Sequence, residues 1–177
     1  SYETWAAQLS RSLEADYWSE AISGIGVLSW PIQDYLAYTN PWDSTGVWDW
    51  TSLTPDAVVM LIGPNDPSGA RTKAFVSAYE ELLELLATKY GSADPAPKLI
   101  SVCGGSINGL DPCPAIQDAI ANFNLGRGDS FEATYVSIGS DDWNEINTKG
   151  NGFQGWDWPY NEKGHAVLAQ DIQDQVR

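Results

Sequence analysis

Three short stretches carry residue types that can hold a developing negative charge or move a proton. Gly63-Pro64-Asn65-Asp66 follows a run of aliphatic residues. All four residue types are common turn formers, so the stretch is first of all a turn. A side-chain amide held at a strand's carboxyl end also donates a hydrogen bond to a developing oxyanion. With backbone N–H groups from a second Gly-containing turn it builds an oxyanion hole. Ser23-Gly24-Ile25-Gly26 is such a second turn. The third stretch is GWDWPYNEKGHAVLAQDI, Gly155 to Ile172, which contains His165. His165 is the sole histidine, so any histidine-based proton transfer by this chain must use it.

The elements that must position these groups alternate between strand and helix. Tyr2 to Tyr17 has apolar residues at helical spacing (Trp5, Leu9, Leu13), and WSEAISGIGV reads as a strand ending in the Gly24 turn. Pro31 to Asp49, rich in Pro, Asn, Asp and Trp, has no period and reads as a long loop. DAVVMLIG is a continuous aliphatic run, the pattern of a strand buried on both faces. Thr72 to Tyr90 is a periodic helix with Gly91 as its stop. KLISVCG, PAIQDAIANFN, ATYVSIG and Glu162 to Val176 then read as strand, helix, strand and closing helix. This order predicts an α/β protein with a mostly parallel sheet, and no repeat or linker divides residues 1–177, which are expected to form a single domain. Right-handed crossovers bring the loops at the carboxyl ends of such strands to one edge, so SGIGV, GPND and the loop before GWDWPYNEKGH are expected to converge there.

Composition narrows the partners. Lys and Arg total 9 against 24 Asp and Glu, a net charge of -15, which disfavours nucleic acid and anionic membranes as partners and leaves neutral ligands such as polysaccharides. No apolar run approaches the roughly 18 residues of a membrane span, and no charged-then-apolar leader is visible. The chain opens at Ser1 rather than Met, which reads as a processed or truncated product. Cys103 and Cys113 are the only cysteines, and their spacing suits a small disulfide loop of a secreted, extracellular protein; a pair of free thiols is the other reading. Nine Trp and eight Tyr supply core bulk and flat faces able to stack on sugar rings. Trp42, Trp48, Trp50, Trp156 and Trp158 cluster in the two loops flanking the expected edge; most of them are read as core, and one or two on the rim, with Trp42 and Trp158 the candidates, as substrate-binding. Acidic pairs such as Asp141-Asp142 lack ligand spacing, so neither metal nor other cofactor is expected.

WDWTSLTPDAVVMLIGPNDPSG resembles the third conserved block of the SGNH (GDSL-type) hydrolases, in particular their carbohydrate-esterase branch, the acetyl xylan esterases. SYETWAAQLSRSLEADYWSEAISGIGV, KLISVCGG and DWPYNEKGHAVLAQDI resemble neighbouring segments of that family in the same order. The resemblance implies a three-layer α/β/α sandwich with a flavodoxin-like sheet and acyl transfer from an acetylated polysaccharide. Carried over residue by residue, Gly24 supplies a backbone oxyanion N–H, Asn65 a side-chain donor, and Asp157 the acid of the closing motif.

Two departures follow. Aligned on Asn161, Gly164 and His165, the chain has Pro159 where the family carries its catalytic histidine, so His165 is either the family's second, structural histidine or a relocated base oriented by Asp157. The family's nucleophile is the serine of a Gly-Asp-Ser motif at the end of a first strand, ahead of the segment with which this chain begins, and that strand is expected to be absent. Gly128-Asp129-Ser130 follows a helix and enters a strand, the reverse of what a nucleophile turn requires, and reads as a chance tripeptide, as does Arg127-Gly128-Asp129. The resulting expectation is a carbohydrate O-acetyl esterase-like domain complemented by an N-terminal companion peptide or a swapped partner chain. The alternative is a catalytically inactive esterase-fold protein that binds carbohydrate or a protein partner.

Overall fold

The computed structural model describes residues 2–66, 72–103, 111–128, 131–138 and 161–176, with the backbone alone at 174 and 175. They belong to two compact units, Ser1–Glu20 with Val136–Arg177, and Ala21–Tyr135.

In the first unit, helix α1 (Trp5–Leu13) begins where the Thr4 hydroxyl accepts the Ala7 N–H. It ends four residues before Tyr17, because Glu14 turns into the left-handed region (φ 53) and the Glu14 and Ala15 N–H groups close back on Arg11 and Ser10. α1 packs on the closing helix, here α4 (Glu162–Val176), whose Leu168 and Ala169, with Ile172 about one turn on, form a buried stripe. The Gln8 side chain donates to the Glu162 carbonyl at 3.2 Å.

The second unit is built on α2 (Lys73–Tyr90) and α3 (Cys113–Asn124), which pack against each other. Phe75, Tyr79, Leu82, Leu83, Leu86 and Tyr90 recur along α2 at helical spacing and are all buried; each such side chain contributes roughly 1.5–3 kcal/mol. Thr72 caps the helix by accepting the Phe75 N–H at 3.2 Å. Three strands lie in the order β3 (Ala57–Met60), β4 (Lys98–Cys103), β5 (Ala133–Ser137), with β3 and β4 parallel and Ala57 opposite Lys98. The molecule is therefore α/β with a parallel pairing at its sheet. Asn124, at the end of α3, holds both peptide groups of Ala133 with its amide, at 2.9 Å each, which fixes the start of β5.

The sequence reading and the structure differ in three places. DAVVMLIG was expected to be buried on both faces, yet all four residues of β3 are half-buried, because among the described residues β3 pairs on one side only. WSEAISGIGV forms no strand: the N–H groups of Val27, Leu28 and Ser29 are taken by the Asp66 carboxylate, and Gly26 bonds locally to Trp30 and Ile32, so no neighbouring strand receives them. The segment Pro31 to Asp49 is not irregular throughout. It contains a 3-10 turn (Ile32–Asp34) and an antiparallel hairpin of β1 (Tyr38–Asn40) and β2 (Asp43–Val47). The hairpin is nucleated by side chains: Asn40 accepts the Trp42 N–H and Asp43 the Thr45 N–H, each at 3.0 Å, the local bonding that Asn and Asp provide in turns.

Candidate active site

The Gly63–Asp66 turn follows β3 and is closed by the Asp66 N–H donating to the Gly63 carbonyl at 2.9 Å. Gly63 sits at φ +119, and a Cβ there would come within 3.1 Å of the Phe75 ring and 3.4 Å of Ile116. Both backbone conformation and space thus require glycine. Beyond it, Pro64 leads into two adjacent polar residues with opposite environments. Asn65 is exposed, and its Nδ2 donates to the Ile25 carbonyl at 2.9 Å. Asp66 is 2% exposed, and its carboxylate accepts the N–H groups of Val27 at 2.8 Å, Leu28 at 3.2 Å and Ser29 at 2.7 Å.

These contacts join the two Gly-containing turns that the sequence singled out. Gly24 is exposed at φ +83 with open space around it, so its conformation rather than crowding selects glycine. The next peptide is held by Asn65. An amide nitrogen has two hydrogens, so with one on Ile25 a second remains able to donate. A side-chain amide at such a turn has the chemistry to donate to a developing negative charge.

The rim of this turn is aromatic. Trp30, immediately after the loop held by Asp66, lies in the left-handed region at φ 58, and its indole N–H bonds the Tyr35 hydroxyl. Trp30, Tyr35 and Trp42 form a trio with ring centroids 5.8 to 6.2 Å apart. Trp30 is 42% and Trp42 67% exposed, whereas Trp50 packs on Tyr90 with its ring centroid 5.5 Å away and joins the core, as expected of most of the tryptophans. The sequence reading singled out Trp42, which is exposed here, but not the neighbouring Trp30 and Tyr35 or the buried Asp66. The one available signal was composition: Ser-Trp-Pro breaks any periodic pattern, but nothing in it reveals a left-handed tryptophan.

Cys103, at the carboxyl end of β4, is disulfide-bonded to Cys113 at the start of α3. Asp111 lies beside the two sulfurs, which are spent on each other, while its carboxylate accepts the Cys113 N–H at 2.9 Å. In the first unit, His165 is half-buried in the first turn of α4, and burial pushes its pKa below the usual histidine value. Asn161 caps that helix by accepting the Lys163 N–H at 3.0 Å and the Gly164 N–H at 3.2 Å. Asp157, Trp156, Trp158, Pro159 and the Asp141-Asp142 pair lie outside the described residues, as do Asp129 and Ser130.

No protein-family profile matches the chain. Over 189 aligned residues it is 28% identical to the cellulase/esterase CelE of Acetivibrio thermocellus, covering 100% of the chain and 22% of that protein. Among solved structures, a family two carbohydrate esterase from Clostridium thermocellum in complex with cellohexaose superposes with a TM-score of 0.79 at 25% identity, covering 99% of this chain and 53% of the other. An active-site mutant of such an esterase from the same organism gives 0.79 at 24%, and a family two carbohydrate esterase from Cellvibrio japonicus 0.74 at 19%, with 53% and 51% of those chains covered. The chain has the fold of the family two carbohydrate esterases. The likeness to carbohydrate esterases drawn from the motif residues therefore holds over the whole chain, which spans about half the length of these solved structures. Among the described residues, no helix is long and apolar enough to cross a membrane.

Proposed function

We propose that this chain is a carbohydrate O-acetyl esterase domain that works together with a nucleophilic serine supplied from outside residues 1–177. The observation that carries this reading is the Asn65 amide bonded to Ile25 beside Gly24, in a chain with a carbohydrate-esterase fold. The serine oxygen attacks the acetyl carbonyl, and Gly24 N–H and the second Asn65 hydrogen hold the oxyanion. The ester bond to the sugar breaks and the sugar oxygen takes the serine's proton through a base. Water then releases acetate and restores the serine. The sequence's candidates for the base and its orienting acid are His165 and Asp157, with His165 as a structural histidine the other reading.

The substrate is an acetylated neutral polysaccharide in a secreted setting. The exposed Trp42, with Trp30 beside it, supports this, because indole faces stack on the apolar faces of pyranose rings, and the net charge of -15 disfavours anionic polymers. The bonded cysteine pair supports an oxidising compartment.

The test is hydrolysis of 4-nitrophenyl acetate and acetylated xylan by the 177-residue chain, beside a longer form carrying a Gly-Asp-Ser segment upstream of Ser1. Activity in the longer form, lost on His165→Ala, is expected. Silence in both, with cellohexaose binding retained and weakened by Trp42→Ala, would replace the esterase reading with that of a glycan-binding protein on an esterase scaffold.

A further inference from the structure

We infer that Asp66 is a positioning residue that sets the oxyanion turn and the aromatic rim in one register; this rests on the esterase reading above. The inference starts from a mismatch between residue and task. A Gly-Pro-Asn-Asp turn needs no buried carboxylate, since an exposed Asp forms such a turn equally well. Burying one is costly unless several donors compensate. Here the carboxylate is 2% exposed and three consecutive N–H groups, from Val27, Leu28 and Ser29, converge on it.

What lies on either side of those three residues gives the arrangement its purpose. Upstream are Gly24 and Ile25, the latter held through its carbonyl by Asn65 at 2.9 Å. Downstream is Trp30, left-handed at φ 58 and joined to Tyr35 and Trp42 by ring contacts. Asn65 and Asp66 are covalent neighbours, so one turn grips the same loop at residue 25 and again at residues 27–29. The two grips meet at Gly26, where a Cβ would lie 2.4 Å from both Asp66 carboxylate oxygens. The loop approaches this closely only because Gly26 has no side chain. Without the carboxylate the three N–H groups turn to water, Trp30 is free to leave the left-handed region, and the Gly24 N–H loses its fixed distance from the Asn65 amide.

Amide hydrogen exchange, cellohexaose binding and ester hydrolysis, measured on wild type, Asp66→Asn and Asp66→Ala, test this. The decisive amides are ones Asp66 does not touch: Ile25, which donates to Ile22 at 3.2 Å, and Ile32, which donates to Gly26 at 2.9 Å. In Asp66→Ala both should exchange about tenfold faster, and in the complemented enzyme kcat for 4-nitrophenyl acetate should fall about tenfold while KM for acetylated xylan rises about tenfold. Asp66→Asn keeps one acceptor oxygen and should fall between; it also serves if the alanine variant does not fold. Gly26→Ala should reproduce the loss in wild type and lose most of its effect in the Asp66→Ala background, the coupling expected of touching residues. Unchanged exchange at Ile25 and Ile32, with unchanged kcat and KM, would reduce Asp66 to a local turn stabiliser and overturn the proposal. A wild-type protein without hydrolysis or binding would refute the esterase reading alone, and the exchange data would still decide the clamp.

Discussion

Replacing Gly63 by alanine separates two physical demands that this one glycine meets. At φ +119 an L-residue is in a region it rarely adopts, which costs on the order of 1–3 kcal/mol. Its Cβ would also come within 3.1 Å of Phe75 Cζ and 3.4 Å of Ile116 Cδ1, and both neighbours are completely buried on α2 and α3, so overpacking adds on the order of 1–3 kcal/mol. A total near the middle of that summed range, about 4 kcal/mol, corresponds to a drop of roughly 8–16 °C in Tm for a chain of this size. Calorimetry on Gly63→Ala and on the double variant Gly63→Ala with Phe75→Leu would measure the two parts. Removing the Phe75 ring tip should return the steric share and leave the backbone share. The reasoning is refuted if Gly63→Ala stays within about 0.5 kcal/mol of wild type, or if the leucine background removes the whole penalty.

Three further outcomes follow from the same geometry. Replacing both Cys103 and Cys113 by alanine opens a loop with a sequence separation of 10, which should cost about 3 kcal/mol of stability by denaturant titration, with a similar loss in the native protein on reduction. Asn65→Ala should lower kcat in the complemented esterase about 10²–10³-fold, with a stability loss of about 1 kcal/mol from the lost bond to the Ile25 carbonyl. His165 has a pKa lowered by burial, so its neutral form is favoured in the folded state. The unfolded chain then binds the extra proton first, and stability should fall as pH drops below the ordinary histidine value of about 6.5. His165→Gln should flatten that part of the stability profile relative to wild type, and an identical profile would show that the group does not contribute.

Sequence alone settled the periodic parts of this protein. α2 and its flanks were readable because Phe75, Tyr79, Leu82, Leu83 and Leu86 repeat at the helical period, with Thr72 before them and Gly91 after them, and such local signals need no partner to be recognised. β4 was readable for a similar reason, since its aliphatic run is buried along nearly its whole length. The order of motifs also disclosed the carbohydrate-esterase fold, and the spacing of Cys103 and Cys113 suited the loop that the disulfide closes.

What tertiary structure alone decided is where backbone hydrogen bonds go when sequence offers more than one option. The apolar residues of AISGIGV fit a strand, and Ile25 and Val27 are indeed buried, but the amides of residues 27–29 are claimed by a carboxylate thirty-seven to thirty-nine positions away. Pro31 to Asp49 looked aperiodic because its hairpin is set by Asn40 and Asp43 side chains, whose bonds leave no repeating pattern. Asp66 was the hardest residue to read. Turn chemistry accounts for its type, and only the fold reveals that it is buried, since burial depends on what the rest of the chain brings to it rather than on its neighbours in sequence.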